Sequence, residues 1–236
     1  MLGKKLYLIA EIGVNHEGSI EKAKLLIDLA KKGGAHAAKF QSYKADKIAS
    51  KNSPAYWDIS KEPTKSQYDL FKKFDSFDEK NYIELYEYCK KVDIDFMSTP
   101  FDLEAVDFLN NLVSNFKLAS ADITNLPLLK KVASKNKDVI LSTGCSTLKE
   151  IKGAKDILEN EGAKNVVLLH CILNYPTLNE NANLGMIKSL QDYFPNNHIG
   201  YSDHTLPNDR MDVLSMAYLM GCRVIEKHFT NDKNLD

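Results

Sequence analysis

Residues 11–19 read EIGVNHEGS, directly after the apolar run LYLIA at 6–10. Two α/β architectures part at this point. A doubly wound sheet that binds a nucleotide ends its first strand in GxGxxG, whose glycines allow a tight turn and the close approach of a pyrophosphate. EIGVNHEGS is a poor match, because Glu11, Asn15 and His16 stand among its two glycines. The first strand delivers a carboxylate rather than a phosphate loop. The competing architecture is a closed barrel, whose site is assembled from polar residues at the ends of many strands.

Working outward, short β-branched or apolar runs alternate with amphipathic stretches of helical length. Strands are expected at LYLIAEIG, AHAAKFQSY, IDFMSTPF, FKLASAD, VILSTGC, VVLLHCIL, HIGYS and CRVIEKHF. Between them lie helical stretches such as SIEKAKLLIDLAKKG, DEKNYIELYEYCKKV, LEAVDFLNNLV and TLKEIKGAKDILENEG, with Ser19 and Thr147 as N-caps and Gly33 and Gly162 as stops. Eight such units predict one (β/α)8 TIM barrel spanning residues 1–236. Residues 42–77 form a long connection with two prolines and Trp57, suited to covering a site or packing on a partner. The sequence stops soon after the eighth strand, so the expectation is a barrel without its last helix.

The 236 residues carry a net charge of −1, with 44% hydrophobic and 27% charged residues. Lys and Arg are scattered, which argues against a nucleic-acid stripe or a membrane-surface helix. The longest apolar stretch, NVVLLHCIL, is too short to cross a bilayer, and MLGKKLYLIAEIG lacks the features of a secretion signal. Cys89, Cys145, Cys171 and Cys222 are widely spaced with no CxxC pair, so they read as buried free thiols. Together these features predict a soluble, reduced, cytoplasmic protein.

The strand ends supply Glu11; Lys39 and Gln41; Ser98 and Thr99; Lys117 and Ser120; Ser142 and Thr143; Asn174 and Tyr175; Ser202, Asp203 and His204; Glu226, Lys227 and His228. In a barrel they converge on one rim. Lysines and hydroxyls suit an anionic ligand, and two imidazoles on the last two strands suit a divalent metal. Lys39 and Lys117 lie in otherwise apolar strands, where an unpaired ammonium is costly. Glu11 reads either as an acid–base carboxylate or as an ion-pair partner for Lys39 or Lys227. His16, in the first loop, is within reach of the rim. His36 and His198 sit near strand starts, the stability end of a barrel, and His170 reads as a core histidine.

Taken in order, AEIGVNHEGS, AAKFQSY, FMSTPFD, FKLASAD, VILSTG, LLHC with YPT, IGYSDHT and IEKHFT resemble the sialic acid synthase family, over nearly the whole chain. Enzymes of that family condense phosphoenolpyruvate with an N-acetylated amino sugar to give nine-carbon sialic-type acids. The resemblance implies phosphoenolpyruvate binding at Lys39, Thr99, Lys117, Ser120, Ser142 and Ser202. It implies Mn2+ or Mg2+ ligation by His204 and His228, and a sugar side lined by Glu11, Gln41, Phe101, Asp122 and Tyr175, with Glu11 as the acid–base group. It also implies a homodimer in the full-length form and a C-terminal antifreeze-like domain, which this sequence does not contain.

Two positions depart from the family pattern. Leu173 stands where many relatives carry a small polar residue or Asn, leaving Asn174 as the candidate substitute. Asp122 stands where Glu is common, which shortens the sugar side by one methylene. Two other readings of the same residues remain open. One is a Schiff-base aldolase using Lys39, Lys117 or Lys227. The other is a barrel that binds a sugar or phosphate without turnover.

Overall fold

The computed structural model of the protein describes residues 5–208 and 210–232. In chain order its elements are β1 (Tyr7–Gly13), α1 (Ile20–Lys32), β2 (Ala37–Ser42), α2 (Ala45–Ile48), α3 (Gln67–Phe74), α4 (Glu79–Lys91), β3 (Asp95–Pro100), α5 (Leu103–Leu109), β4 (Asn115–Leu118), α6 (Leu126–Ala133), β5 (Asp138–Ser142), α7 (Leu148–Asn160), β6 (Val166–His170), α8 (Gly185–Tyr193), β7 (His198–Asp203), α9 (Asp212–Leu219) and β8 (Val224–His228). All eight strands run parallel, in the order β3-β2-β1-β8-β7-β6-β5-β4.

The first and last strands are neighbours, paired from Tyr7 opposite Val224 to Glu11 opposite His228. The two ends of the ladder, β3 and β4, pack side by side. That curls the sheet into a nearly closed (β/α)8 barrel and rules out the open doubly wound alternative.

Local chemistry explains the element ends. The Ser19 hydroxyl accepts from Lys22 N at 3.1 Å and starts α1. The left-handed residue after α1 is Gly34, at φ 84°, one place beyond the expected stop at Gly33. Thr147 and Glu150 form a reciprocal capping box on α7, and Gly162 follows that helix at φ 115°. The helix expected over LEAVDFLNNLV ends at Leu109, where Leu112 N and Val113 N both turn back onto Leu109 O. The connection over residues 42–77 is not bare loop. It contains α2 and α3, the latter capped by Ser66, and a bridge between Pro54 and Ser66.

Strand register decides what faces the barrel axis, because alternate side chains point the same way. One inward layer is apolar: Ile9, Ala37, Met97, Ile140, Val167, Leu169 and Val224 form a buried plug. Gly200 belongs to this layer, since a Cβ there would lie 2.3 Å from Val224 O and 2.5 Å from Leu169 Cδ2. The outward side chains of the strands, among them Ile12, Phe40, Leu118, Leu168 and Tyr201, pack under the helices in the larger core. Two residues further along the strands, towards their C-terminal ends, the inward set turns polar: Glu11, Lys39, Thr99, Lys117, Ser142, Ser202 and Glu226. All of these are buried. The plug thus seals the barrel below a polar floor.

Candidate active site

The floor is a four-charge network. Lys39 Nζ lies 2.5 Å from Glu11 Oε2 and 3.6 Å from Glu226 Oε2, and donates to Thr99 Oγ1 at 3.3 Å. Lys117 Nζ lies 3.6 Å from Glu226 Oε1 and donates to Ser142 Oγ at 2.8 Å and to Leu118 O at 3.2 Å. Gln41 Nε2 donates to Glu11 Oε1 at 2.8 Å, and Ser202 Oγ donates to Glu226 Oε1 at 3.0 Å. Glu11, Lys39, Gln41, Thr99, Lys117, Ser142 and Ser202, each anticipated from the sequence, are therefore brought together by six different strands.

The two ammoniums differ. Burial disfavours charge on both. For Lys39 the flanking carboxylates of Glu11 and Glu226 more than offset it, holding that lysine above its ordinary value. For Lys117 burial wins and pushes the ammonium below the usual range: among the described residues Glu226 is the one carboxylate paired with it, Glu11 helps less, and Lys39 is a like charge nearby. Glu226 is held well below the usual carboxylate range: burial works against its charge, but Lys117, Lys39 and His228 all favour it. One carboxylate served by two cations is stabilised more than the cation that depends on it.

Ser120, in the turn after β4, accepts from Gly144 N at 2.9 Å and contacts Cys171 Sγ at 3.2 Å, which ties it to the end of β5 beyond Ser142. On the opposite rim His204 and His228 face each other with ring centroids 5.4 Å apart, and Tyr175 lies 4.1 Å from His204 and 5.8 Å from His228. His204 Nδ1 bonds to Ile172 O at 2.5 Å, so Nδ1 carries the proton and Nε2 keeps its lone pair. Burial, followed by the neighbouring His228, lowers the His204 pKa, while the Ile172 carbonyl opposes the shift. A cavity of about 290 Å³ opens against Asn15, Tyr175, His204, Thr205, His228 and Phe229.

Behind this rim Asp203, 1% exposed, is bonded to Lys227, the Tyr201 hydroxyl and both N and Oγ1 of Thr205. Lys227 is thereby engaged away from Glu11, whose partner is Lys39.

Among the described residues, the hydrogen bonds and ring contacts of the other candidates lie outside the four-charge network. Phe101 packs edge-on against Tyr43 at 6.2 Å. Asp122 has one oxygen bonded to Asn125 and the other buried without a hydrogen-bond partner, and burial raises its pKa. Asn174 is exposed beside Tyr175. Leu173 stands over Gly144, where a Cβ would meet it at 2.9 Å. His16 is not a rim group. It is 2% exposed, stacked on Phe77 at 4.1 Å, and accepts from Gly18 N. His170 is a core histidine bonded to Ala182 O at 2.9 Å. Of the four cysteines, Cys145 corrects the expectation: it is exposed, at φ 54° in the turn after β5. Glu226 carries more of the floor than its sequence suggested. The one available signal was a carboxylate set in the apolar strand VIEKH.

A buried lysine-and-hydroxyl floor below paired histidines places the candidate site of this (β/α)8 barrel at the C-terminal ends of its strands. Its family is shown by comparison: residues 26–236 match the model of the NeuB family, and the chain belongs to that family. It is 45% identical to the N,N'-diacetyllegionaminic acid synthase of Campylobacter jejuni over 98% of this chain and 70% of that protein. It is 42% identical to the synthase of the same name from Legionella pneumophila, over 97% of this chain and 65% of that one. Among solved structures, the N-acetylneuraminic acid (sialic acid) synthetase of Leptospira borgpetersenii superposes with a TM-score of 0.85. It is 34% identical, covering 98% of this chain and 75% of that one. The chain thus spans about two thirds of the length of these curated relatives. No described helix is long and apolar enough to cross a membrane.

Proposed function

We propose that this chain is the catalytic barrel of a synthase that joins phosphoenolpyruvate to an N-acetylated amino sugar, giving a nine-carbon sialic-type acid and phosphate. The observation that carries the reading is the convergence of two buried ammoniums, Lys39 and Lys117, with Ser142 and Thr99 at the barrel floor. Water is excluded there, so an anion held by both lysines is bound more strongly than at a surface. The names of the relatives support the sugar class.

Lys39, Thr99, Lys117, Ser120, Ser142 and Ser202 would hold the carboxylate and phosphate. That fixes C3 of the enol against the open-chain sugar aldehyde and makes the encounter effectively unimolecular. C3 attacks the aldehyde carbon and the C–C bond forms, while the carbonyl oxygen takes up a proton. Water adds at C2 and loses its proton. The bond from C2 to the phosphate oxygen then breaks as the C2 hydroxyl gives up its proton and becomes the ketone carbonyl, and phosphate leaves with the electron pair. Glu11, held between Lys39 and Gln41, is placed to move the protons. The sugar side would fall to Gln41 and Tyr175, with Asn174 beside Tyr175, and, as the resemblance implies, to Phe101 and Asp122 just beyond the ends of β3 and β4.

His204 and His228 suit a divalent ion, because the Ile172 contact leaves His204 Nε2 free towards the rim. Among the described residues no group of three or more His, Cys, Asp or Glu side chains gathers. The remaining ligand positions would fall to substrate and water oxygens, and imidazole ligation favours Mn2+ over Mg2+. Such an ion supplies Lewis acidity at the sugar aldehyde.

The depressed Lys117 also suits a Schiff-base aldolase. Borohydride reduction with a keto acid separates the two readings: the synthase forms no imine and leaves no adduct. The direct test is calorimetric titration of phosphoenolpyruvate. Lys117→Ala weakens binding by at least about tenfold, the value of one charge-assisted hydrogen bond. A folded wild-type chain, completed to the length of its relatives, that does not bind phosphoenolpyruvate overturns the reading.

A further inference from the structure

At the barrel floor the Glu226 carboxylate stands between two ammoniums and pairs with both. Its oxygens lie 3.6 Å from Lys117 Nζ and 3.6 Å from Lys39 Nζ. Oε1 also accepts from Ser202 at 3.0 Å. The lysines spend their short contacts elsewhere: Lys39 on Glu11 at 2.5 Å, Lys117 on Ser142 at 2.8 Å.

We propose that Glu226 is the internal counter-ion of the anion pocket: it makes two neighbouring lysines compatible while the pocket is empty, and its repulsion limits how tightly a phosphate- or carboxylate-bearing substrate is held. The inference rests on the assignment of Lys39 and Lys117 to phosphoenolpyruvate. Its logic is charge balance. Two ammoniums and two carboxylates, Glu11 and Glu226, make a pocket of zero net charge. Of the two carboxylates, Glu11 is committed to Lys39 and Gln41. Among the described residues Glu226 is the one carboxylate paired with both cations, so an incoming anion takes over its role at both lysines while Glu11 keeps its place. A pocket lined by cations alone would bind a multiply charged substrate and the released phosphate too firmly for turnover. A carboxylate a few ångströms away corrects this without obstructing the lysine protons.

The test is calorimetry with phosphoenolpyruvate on the chain completed to the length of its relatives, in EDTA so that no metal contributes, at pH 6 to favour protonated lysines. The proteins compared are wild type, Lys117→Ala, Glu226→Gln and Glu226→Ala. The proposal expects Lys117→Ala to lose binding and both Glu226 variants to bind about tenfold tighter or more, with orthophosphate following the same order. Glutamine keeps the Ser202 contact, and alanine excludes a new amide–phosphate bond as the cause. Thermal melts of each variant confirm folding. Wild-type binding lost in Lys117→Ala but unchanged or weakened in Glu226→Gln overturns the counter-ion role and leaves the substrate assignment standing. A folded wild type that binds neither anion overturns both.

Discussion

Replacing Asp203 by alanine tests whether the rim that carries the histidines is held by a buried charge. Asp203 lies 2.5 Å from Lys227 Nζ and accepts from Tyr201 OH at 3.0 Å, Thr205 N at 3.1 Å and Thr205 Oγ1 at 3.0 Å. Lys227 donates on to Thr205 O at 2.7 Å, so the pair clamps β7 and β8 on either side of His204. Breaking one side of a buried pair costs about 3–5 kcal/mol. The Lys227 side chain is 23% exposed and can turn to water, which reduces the expected loss to about 2–4 kcal/mol. For a domain of this size that lowers Tm by roughly 5–15 °C. The assay is urea unfolding, read as a lower midpoint at unchanged slope. Asp203→Asn, which keeps an acceptor for Tyr201 and Thr205, falls in between. An alanine variant within about 0.5 kcal/mol of wild type would refute the clamp, because surface substitutions alone stay within that range.

His16 carries a pH dependence of definite sign. Burial, followed by the Lys22 charge, lowers its pKa from 6.5 to about 4. The folded state therefore favours the neutral ring, and its contribution is fully present above pH 6.5 and lost as pH falls towards 4. The loss is roughly 3 kcal/mol across that window, at 1.36 kcal/mol per pKa unit. It should shrink in His16→Asn when unfolding free energies are measured at pH 7 and pH 4.5. Gly200→Ala drives a Cβ to 2.3 Å from a backbone carbonyl of the neighbouring strand. It should destabilise the barrel by more than about 2 kcal/mol in the same urea assay.

How much of this was legible in the sequence depends on what each inference needed. The eight-unit alternation and the absence of a phosphate loop after Ala10 are one-dimensional patterns, and the barrel followed from them. Lys39 and Lys117 were recoverable because an ammonium inside an apolar strand demands a partner, whatever that partner is. The partner itself was not recoverable. Glu11 could equally have served Lys227, and only the register of β1 against β2 opposes it to Lys39. Glu226 joins lysines on β2 and β4 across the barrel axis, a relation no local spacing encodes. The helices α2 and α3 were hidden in the polar stretch 42–77, although Ser66 is an ordinary cap. Cys145 is exposed because the chain turns at Gly144 and Cys145, with Cys145 itself left-handed at φ 54°, directly after an apolar strand. The short end of LEAVDFLNNLV reflects a turn closed by backbone contacts to Leu109 O rather than by any breaker residue.

The most direct test of the central claim is phosphorus NMR of phosphoenolpyruvate incubated in 18O-labelled water with N-acetylmannosamine or a diacetamido sugar, Mn2+ and the chain completed to the length of its relatives. The account predicts orthophosphate that grows only when sugar and metal are both present, carries no solvent label, and matches a nine-carbon acid one for one. Sugar-independent release, or label in the phosphate from attack at phosphorus, would contradict it.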